Sequence, residues 1–396
     1  MEAARRFPFL YRPMVAAALG VAAGAAFYRT LTGTGPLWAL CLFSVLGLLG
    51  WRFGLLPQRT FALALVFALL RCLLLPELSL PSWFMRPFEA AREALVATTR
   101  ALFPKADASL LCAMLWGDKT GLDPALRAAY RGAGVAHILA LSGLHVSFVA
   151  LALNGLARKA PVRLRLGLTA ALLFAYCAVA AFPASLVRAT VMSLCPLLAE
   201  ALGRKKDQAS SIAFAALCIL ICAPAALFDI GFQLSFGAVA AIAMLSQPLV
   251  KALPLPPRLA EALALSLCGM VGTLPLTARH FGEVALLSLF ANLLILPIVP
   301  VAFLTAMAAC LCGTVYLRLG EFLAPTARLF VRGMSAAAEA VSALPFSLAE
   351  TAKPGVLPCA LFYGAMLALS RYCLLPAREK WALAGTLLAG ALLLML

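Results

Sequence analysis

Residues Gly134–Phe148 read GVAHILALSGLHVSF. His137, Ser142, Gly143 and His145 interrupt a run that is otherwise apolar enough to cross a bilayer. Hydrocarbon penalises every unsatisfied polar group, so residues of this kind are kept there with a partner or with a task. The chain has three histidines in all, and two of them stand in this stretch.

The rest of the sequence explains why the surroundings are hydrocarbon. Of 396 residues, 64% are hydrophobic and 12% charged, with a mean hydropathy of +0.99. Soluble domains carry about 25% charged residues, and half that cannot solvate a surface. Apolar runs recur near Pro13–Leu31, Pro36–Gly50, Thr60–Leu75, Gly134–Ala157, Leu166–Phe182, Pro183–Leu202, Ala209–Leu227, Phe232–Val250 and Leu259–Thr277. A longer stretch from Val284 to Leu317 holds Pro297 and Pro300, and two more runs lie near Val356–Cys373 and Trp381–Leu396. At about 20 residues per crossing, this predicts an all-α polytopic membrane protein with roughly ten to twelve transmembrane helices and amphipathic interfacial helices. The alternating strands of about ten residues that a β-barrel needs are absent. Arg5 and Arg6 precede the first run, which reads as an uncleaved span because further spans follow directly.

The 12 cysteines are scattered through apolar runs with no CxxC pair, so they read as small buried hydrophobes. The net charge of +16 is explained by its placement. With the N-terminus cytoplasmic, the inner loops collect Arg52, Arg59, Arg158, Lys159, Arg163, Arg165, Arg204, Lys205, Lys206, Lys251 and Arg258. The short outer loops hold little beyond Arg29 and Arg279. This positive-inside bias orients the chain and requires no polyanionic partner.

The longest polar excursion, Pro76–Arg131, falls outside in this topology, and Phe88–Leu102 within it reads as an amphipathic surface helix. Asp123-Pro124 marks a helix start, an N-cap followed by proline at the first helical position. Gly117-Asp118-Lys119-Thr120 lacks the preceding glycine and strand of a phosphate loop, so no ATPase is expected. Phe322–Leu344 places Arg328, Arg332, Ser335, Glu339 and Ser342 on one helical face, which suits a wet interfacial helix as well as a pore-lining one. Ala16, Gly20 and Gly24 form a small-residue ridge for helix packing.

The polar residues inside the spans admit several chemistries. On one helix His137 and His145 would stand about 80° apart, while Ser142 and His145 would share a face. A metal site needs more ligands than are present, and no HExxH occurs. A Ser142–His145 hydrolase is conceivable, although residues three apart on one helix seldom reach nucleophile geometry. Interhelical hydrogen bonding alone is a third reading, and a polar patch lining a water-filled passage a fourth and preferred one. Arg188 is costly in hydrocarbon, about 2.5–3.5 kcal/mol on insertion scales, and is expected to face a cavity or a carboxylate. Asp229 and Gln233 lie one turn apart, Asp229 is a candidate partner for Arg188, and Gly231 and Gly237 are expected to loosen their helix. Asn292 lies in a run that Pro297 and Pro300 would break, and Gly272-Thr273-Leu274-Pro275 marks a further kink.

Five segments carry a family resemblance: Leu115–Leu122 (LWGDKTGL), His137–Val146 (HILALSGLHV), Ser185–Met192 (SLVRATVM), Asp229–Phe236 (DIGFQLSF) and Gly272–Pro300 (GTLPLTARHFGEVALLSLFANLLILPIVP). In this order and spacing they resemble the ComEC family of bacterial competence proteins, over roughly Ala101 to Arg318. The resemblance implies an inner-membrane channel that passes single-stranded DNA into the cytoplasm, drawn by a separate cytoplasmic motor and fed by a periplasmic DNA receptor, with a homo-oligomer left open. It divides the chain into N-terminal spans and a short periplasmic excursion, residues 1–100, and a channel domain, residues 101–396. His137, Ser142, His145, Arg188, Asp229, Gln233 and Asn292 are then the candidate strand-binding residues, with Phe148, Phe232 and Phe236 as stacking platforms. No histidine follows His280, so the HxHxDH cluster of the family's nuclease-like domain is not in this sequence. Neither catalysis nor a metal or cofactor is expected. A secondary transporter of a small anion or metabolite is the competing reading.

Overall fold

Long runs rich in alanine and leucine can satisfy their amides in hydrocarbon only within themselves, and they fold as helices. The computed structural model describes residues 13–31, most of 60–72, 81–204, 207–373 and 375–394. In chain order the helices are α1 (Pro13–Leu31), α2 (Ser82–Leu102), α3 (Lys105–Leu111), α4 (Pro124–Gly132), α5 (Gly143–Leu156) and α6 (Val162–Val179). They continue with α7 (Ala184–Ala201), α8 (Gln208–Cys222), α9 (Ile230–Ala252), α10 (Pro257–Phe281) and α11 (Ser288–Ile295). The last are α12 (Val299–Val315), α13 (Leu317–Ser342), α14 (Val356–Leu369) and α15 (Ala377–Leu393). Among the described residues, α6, α7, α9 and α10 are long and apolar enough to cross a membrane. The pair α11–α12, bent by 49°, adds a fifth crossing if it is one span. Shorter apolar helices include α5, α8 and α14. The expected span Pro36–Gly50 lies outside the described residues.

These elements gather into two compact units that interleave along the chain. Unit 1 draws on Met1–Ser79, Asp207–Gly282 and Thr351–Leu396, and unit 2 on Leu80–Lys206 and Glu283–Glu350. The boundary read near residue 100 falls inside α2.

Unit 1 is held by close backbone approach. The ridge on α1 packs as its sequence indicates: a Cβ on Gly20 would strike the carbonyl of Phe61 and the side chain of Ala64. Helices α9 and α10 cross where Gly237 meets Gly272, and a Cβ on Gly272 would lie 2.5 Å from the Gly237 carbonyl oxygen. Tyr363 of α14 donates its hydroxyl to the Gly272 carbonyl at 2.7 Å. Gly237 therefore tightens its helix packing where the sequence suggested loosening. At Gly272–Pro275 the helix is not broken, since α10 runs through Pro275 to Phe281.

Unit 2 has its core between α12 and α13, which turn on each other at Gly313 and Gly320. The buried stripe of α12 includes Val299, Ala302, Phe303, Ala306, Ala309 and Cys310, at helical spacing. The polar face of α13 docks on α4: Tyr130 Oη lies 3.3 Å from Ser335 Oγ, and Ser342 fills the space a Gly132 Cβ would need. Asp123 caps α4 as expected, accepting from the Ala125 amide at 2.9 Å. The all-helix expectation has one exception. Glu283–Ala285 and Leu348–Glu350 pair as a short antiparallel ladder, β1 and β2. α10 ends on left-handed Gly282 (φ 71°), and amides released from helices there find each other.

Two predictions follow from this packing. Gly272→Val should lower thermal stability by about 1–3 kcal/mol through overpacking, whereas Gly269→Ala, whose Cβ would meet its nearest atom at 3.9 Å, should not; thermal unfolding in detergent decides. In the loop before α4, burial pushes the Asp118 carboxyl up, but hydrogen bonds from Thr120 and the Arg100 guanidinium outweigh it and hold it below its usual range. A depressed carboxylate stabilises above its unfolded pKa of about 3.9 and loses that contribution as pH falls through the folded value. Asp118→Asn should therefore flatten the acid limb of a stability–pH curve and lower stability at neutral pH by less than about 1 kcal/mol, as Arg100 is half exposed.

Candidate functional site

The segment quoted first is a corner, not a continuous span. After α4 the chain passes Gly134, whose φ of 74° and close approach to Ser288 and Ala285 exclude a larger residue. A short 3-10 turn, Ala136–Ile138, follows, and the backbone is then irregular through Ser142, where α5 begins. The expected span Gly134–Ala157 is thus corrected to a loop and a 14-residue helix. The cause lies in Ser142 and His145. Ser142 takes an extended conformation and donates its amide to His145 Nδ1 at 3.1 Å, a reciprocal cap that starts the helix there.

This geometry separates the two histidines. His137 rides the 3-10 turn with an exposed side chain. His145 is fully buried and stacks on Phe303 of α12 at 4.8 Å and 18°. Because Nδ1 accepts a hydrogen bond, the ring proton sits on Nε2. That buried nitrogen has no hydrogen-bond partner among the described residues. Ser142 Oγ lies 3.4 Å from Nδ1, longer than the amide contact, so the serine serves the ring as a helix cap.

The motif around Arg188 closes the corner from the other side. Ser185 Oγ donates to the Leu141 carbonyl at 2.6 Å, tying the first turn of α7 to the loop. A Cβ on Gly143 would lie 3.3 Å from that of Ala189, so α5 starts directly against α7. Arg188 is 3% exposed and donates to its own turn at the Ser185 carbonyl, 3.4 Å away. Asn292 stands on α11, whose first residue, Ser288, abuts Gly134. Its Oδ1 is buried without a hydrogen-bond partner among the described residues, and the chain bends by 49° between α11 and α12. The break that Pro297 signals is present.

Unit 1 contains a second corner. A 3-10 turn, Pro224–Phe228, leads to Asp229, which caps α9 by accepting from the Phe232 amide at 2.9 Å. Gln233 donates Nε2 to the Leu227 carbonyl at 3.1 Å. That fixes its Oε1 as acceptor for His280 Nε2 at 3.0 Å. Asp229 is exposed. Arg188 falls in unit 2 and Asp229 in unit 1.

Unit 2 thus brings together His137, Ser142, His145 and Arg188, with Asn292 on an adjoining helix, while Asp229 and Gln233 sit in unit 1. Of the aromatic residues, Phe232 is buried and packs on Phe236 at 4.3 Å, and Phe148 packs near His145 and Phe303. Phe148 and Phe236 are half-buried. Sequence reasoning missed Ser185 and His280 as corner residues. Both were within or beside quoted motifs; the signal was a hydroxyl next to Arg188 and a histidine at a helix C-terminus.

An almost wholly helical chain with, among the described residues, four or five helices long and apolar enough to cross a bilayer defines a helical membrane protein. Residues 114–376, more than half of the chain, match the family model described as Competence protein, and the chain belongs to that family. It is 28% identical over 225 residues, 55% of its length, to ComE operon protein 3 of Bacillus subtilis (strain 168). It is 34% identical over 142 residues, 34% of its length, to Competence protein ComA of Neisseria gonorrhoeae. The matched stretches make up 28% and 20% of those two proteins' own lengths. No solved structure matches.

The capping geometry makes a distinguishable prediction. His145→Phe keeps the ring stack and loses the acceptor, so it should destabilise by about 0.5–2 kcal/mol, the range of a lost helix cap. Ser147→Ala, whose hydroxyl only bonds its own helix at the Gly143 carbonyl, should be near neutral. Equal melting temperatures for His145→Phe and the native protein would remove the capping role.

Proposed function

We propose that this chain is the membrane-embedded part of a bacterial DNA-uptake apparatus and carries single-stranded DNA across the inner membrane into the cytoplasm. The observation that carries the reading is the uncoiled backbone between Ile138 and Gly143, which lies inside the motif His137–Val146 beside exposed His137. Irregular backbone at bilayer depth is tolerated where protein covers it or where it lines water. Membership in the competence family supplies the cargo. The orphan Nε2 of His145 and Oδ1 of Asn292 leave a donor and an acceptor at the two breaks of unit 2.

In this reading the chain crosses the membrane roughly ten to twelve times, the shorter apolar helices and the N-terminal runs included, and its N-terminus is cytoplasmic. His137 meets the strand. Ser142, His145 and Arg188 act as positioning residues that hold its loop, and Asp229 and Gln233 hold the corresponding corner of unit 1. The chain performs no bond chemistry; a cytoplasmic motor pulls and a periplasmic receptor delivers. An imidazole offers a hydrogen bond to phosphate without a fixed charge, which keeps contact weak enough for onward movement.

Interrupted helices also suit a secondary transporter of a small anion, because freed backbone groups at such breaks coordinate solutes. The two readings separate in one experiment. Deletion of the gene in a transformable host should abolish transfer of radiolabelled DNA to the cytosol. His137→Ala should lower it several-fold at unchanged protein level, on the scale of about 1 kcal/mol for one hydrogen bond. Normal import in the deletion strain, with proteoliposome uptake of small anions, would assign the transporter instead.

A further inference from the structure

The basic half of α13 is not used by either corner. Arg328 and Arg332 stand one turn apart, and both Nε atoms lie 3.3 Å from the same oxygen, Oδ2 of Asp107. The Asp107 side chain is mostly covered, with 13% exposure, while the Arg328 and Arg332 side chains are 42% and 57% exposed. A shared carboxylate aligns the two arginines without neutralising both. Nearby, Glu321 pairs with Arg318 at 3.6 Å. Three guanidiniums therefore face two carboxylates, leaving one net positive charge.

The arginines border a groove of roughly 360 Å³ whose other walls are Leu102, Ala324, Pro325, Leu329 and Glu321, the carboxylate that Arg318 pairs. Of its walls Leu329 is 69% exposed, and Phe322, two turns earlier on the same face of α13, is 79% exposed. We propose that this groove binds one anionic phospholipid, its phosphodiester on Arg328 and Arg332 and an acyl chain along Leu329 and Phe322. One uncompensated charge matches one phosphate; a strand would bring a run of them and would gain nothing from the apolar rim. The same phosphodiester chemistry occurs in DNA, so the test separates the two sources.

The full chain, purified in detergent, is titrated with phosphatidylglycerol, with phosphatidylcholine or with an oligothymidylate, and retained ligand is counted by native mass spectrometry. Phosphatidylglycerol should be retained about fivefold over phosphatidylcholine, the preference one basic side chain gives for an anionic headgroup. R328Q/R332Q should abolish that preference, and R328K/R332K should keep most of it. L329E, at an exposed position that folding tolerates, should also expel phosphatidylglycerol. Equal retention of the two lipids by the native chain overturns the site, as does an unchanged preference in R328Q/R332Q or in L329E. Displacement of phosphatidylglycerol by the oligothymidylate overturns the lipid assignment in favour of the strand.

Discussion

An amide group left without a partner in hydrocarbon costs several kcal/mol, and this one constraint orders the whole molecule. Wherever a helix stops inside an apolar region, something other than water must take over the freed donors and acceptors. In unit 2 that duty falls to His145 Nδ1, which accepts the Ser142 amide, and to Ser185 Oγ, which donates to the Leu141 carbonyl. In unit 1 it falls to Asp229 and Gln233. The family's sharpest motifs are, in physical terms, the fittings of two interrupted helices.

That view changes what the buried polar residues are for. Side chains read from sequence as lining a passage turn out to divide into two kinds. His145 and Arg188 are buried and bond backbone; Asp229 is exposed and caps α9, and His137 stands exposed on its turn. Removal of a holder acts through the shape of a loop, while removal of an exposed residue acts on whatever meets it.

Much of the fold was legible in the sequence because length and composition decide it. α6, α7, α9 and α10 need only an apolar run of bilayer length, and Asp123-Pro124 announces its helix through local chemistry. The corner at residues 139–142 was not legible, since Leu139, Ala140 and Leu141 carry no breaking signal. It is imposed from afar, by Phe303 against His145, by Ser185 on Leu141, and by left-handed Gly117 abutting Leu141. Gly237 was misread for the same reason: a glycine in a helix looks loose until the partner backbone at Gly272 is known. The candidate residues stood out because polar atoms in an apolar run are conspicuous, but the contacts they make depend on residues far along the chain.

The interleaving of the two units carries a consequence for biosynthesis. Thr99 finds Cys310 across 211 positions, and Tyr130 finds Ser335 across 205. At about 5–20 residues per second, a ribosome delivers those partners on the order of ten to forty seconds later. During that interval Tyr130 and His145 are already in place with nothing to cover them. The first half of unit 2 is therefore completed only when α12 and α13 emerge, and its assembly is governed by timing as much as by affinity.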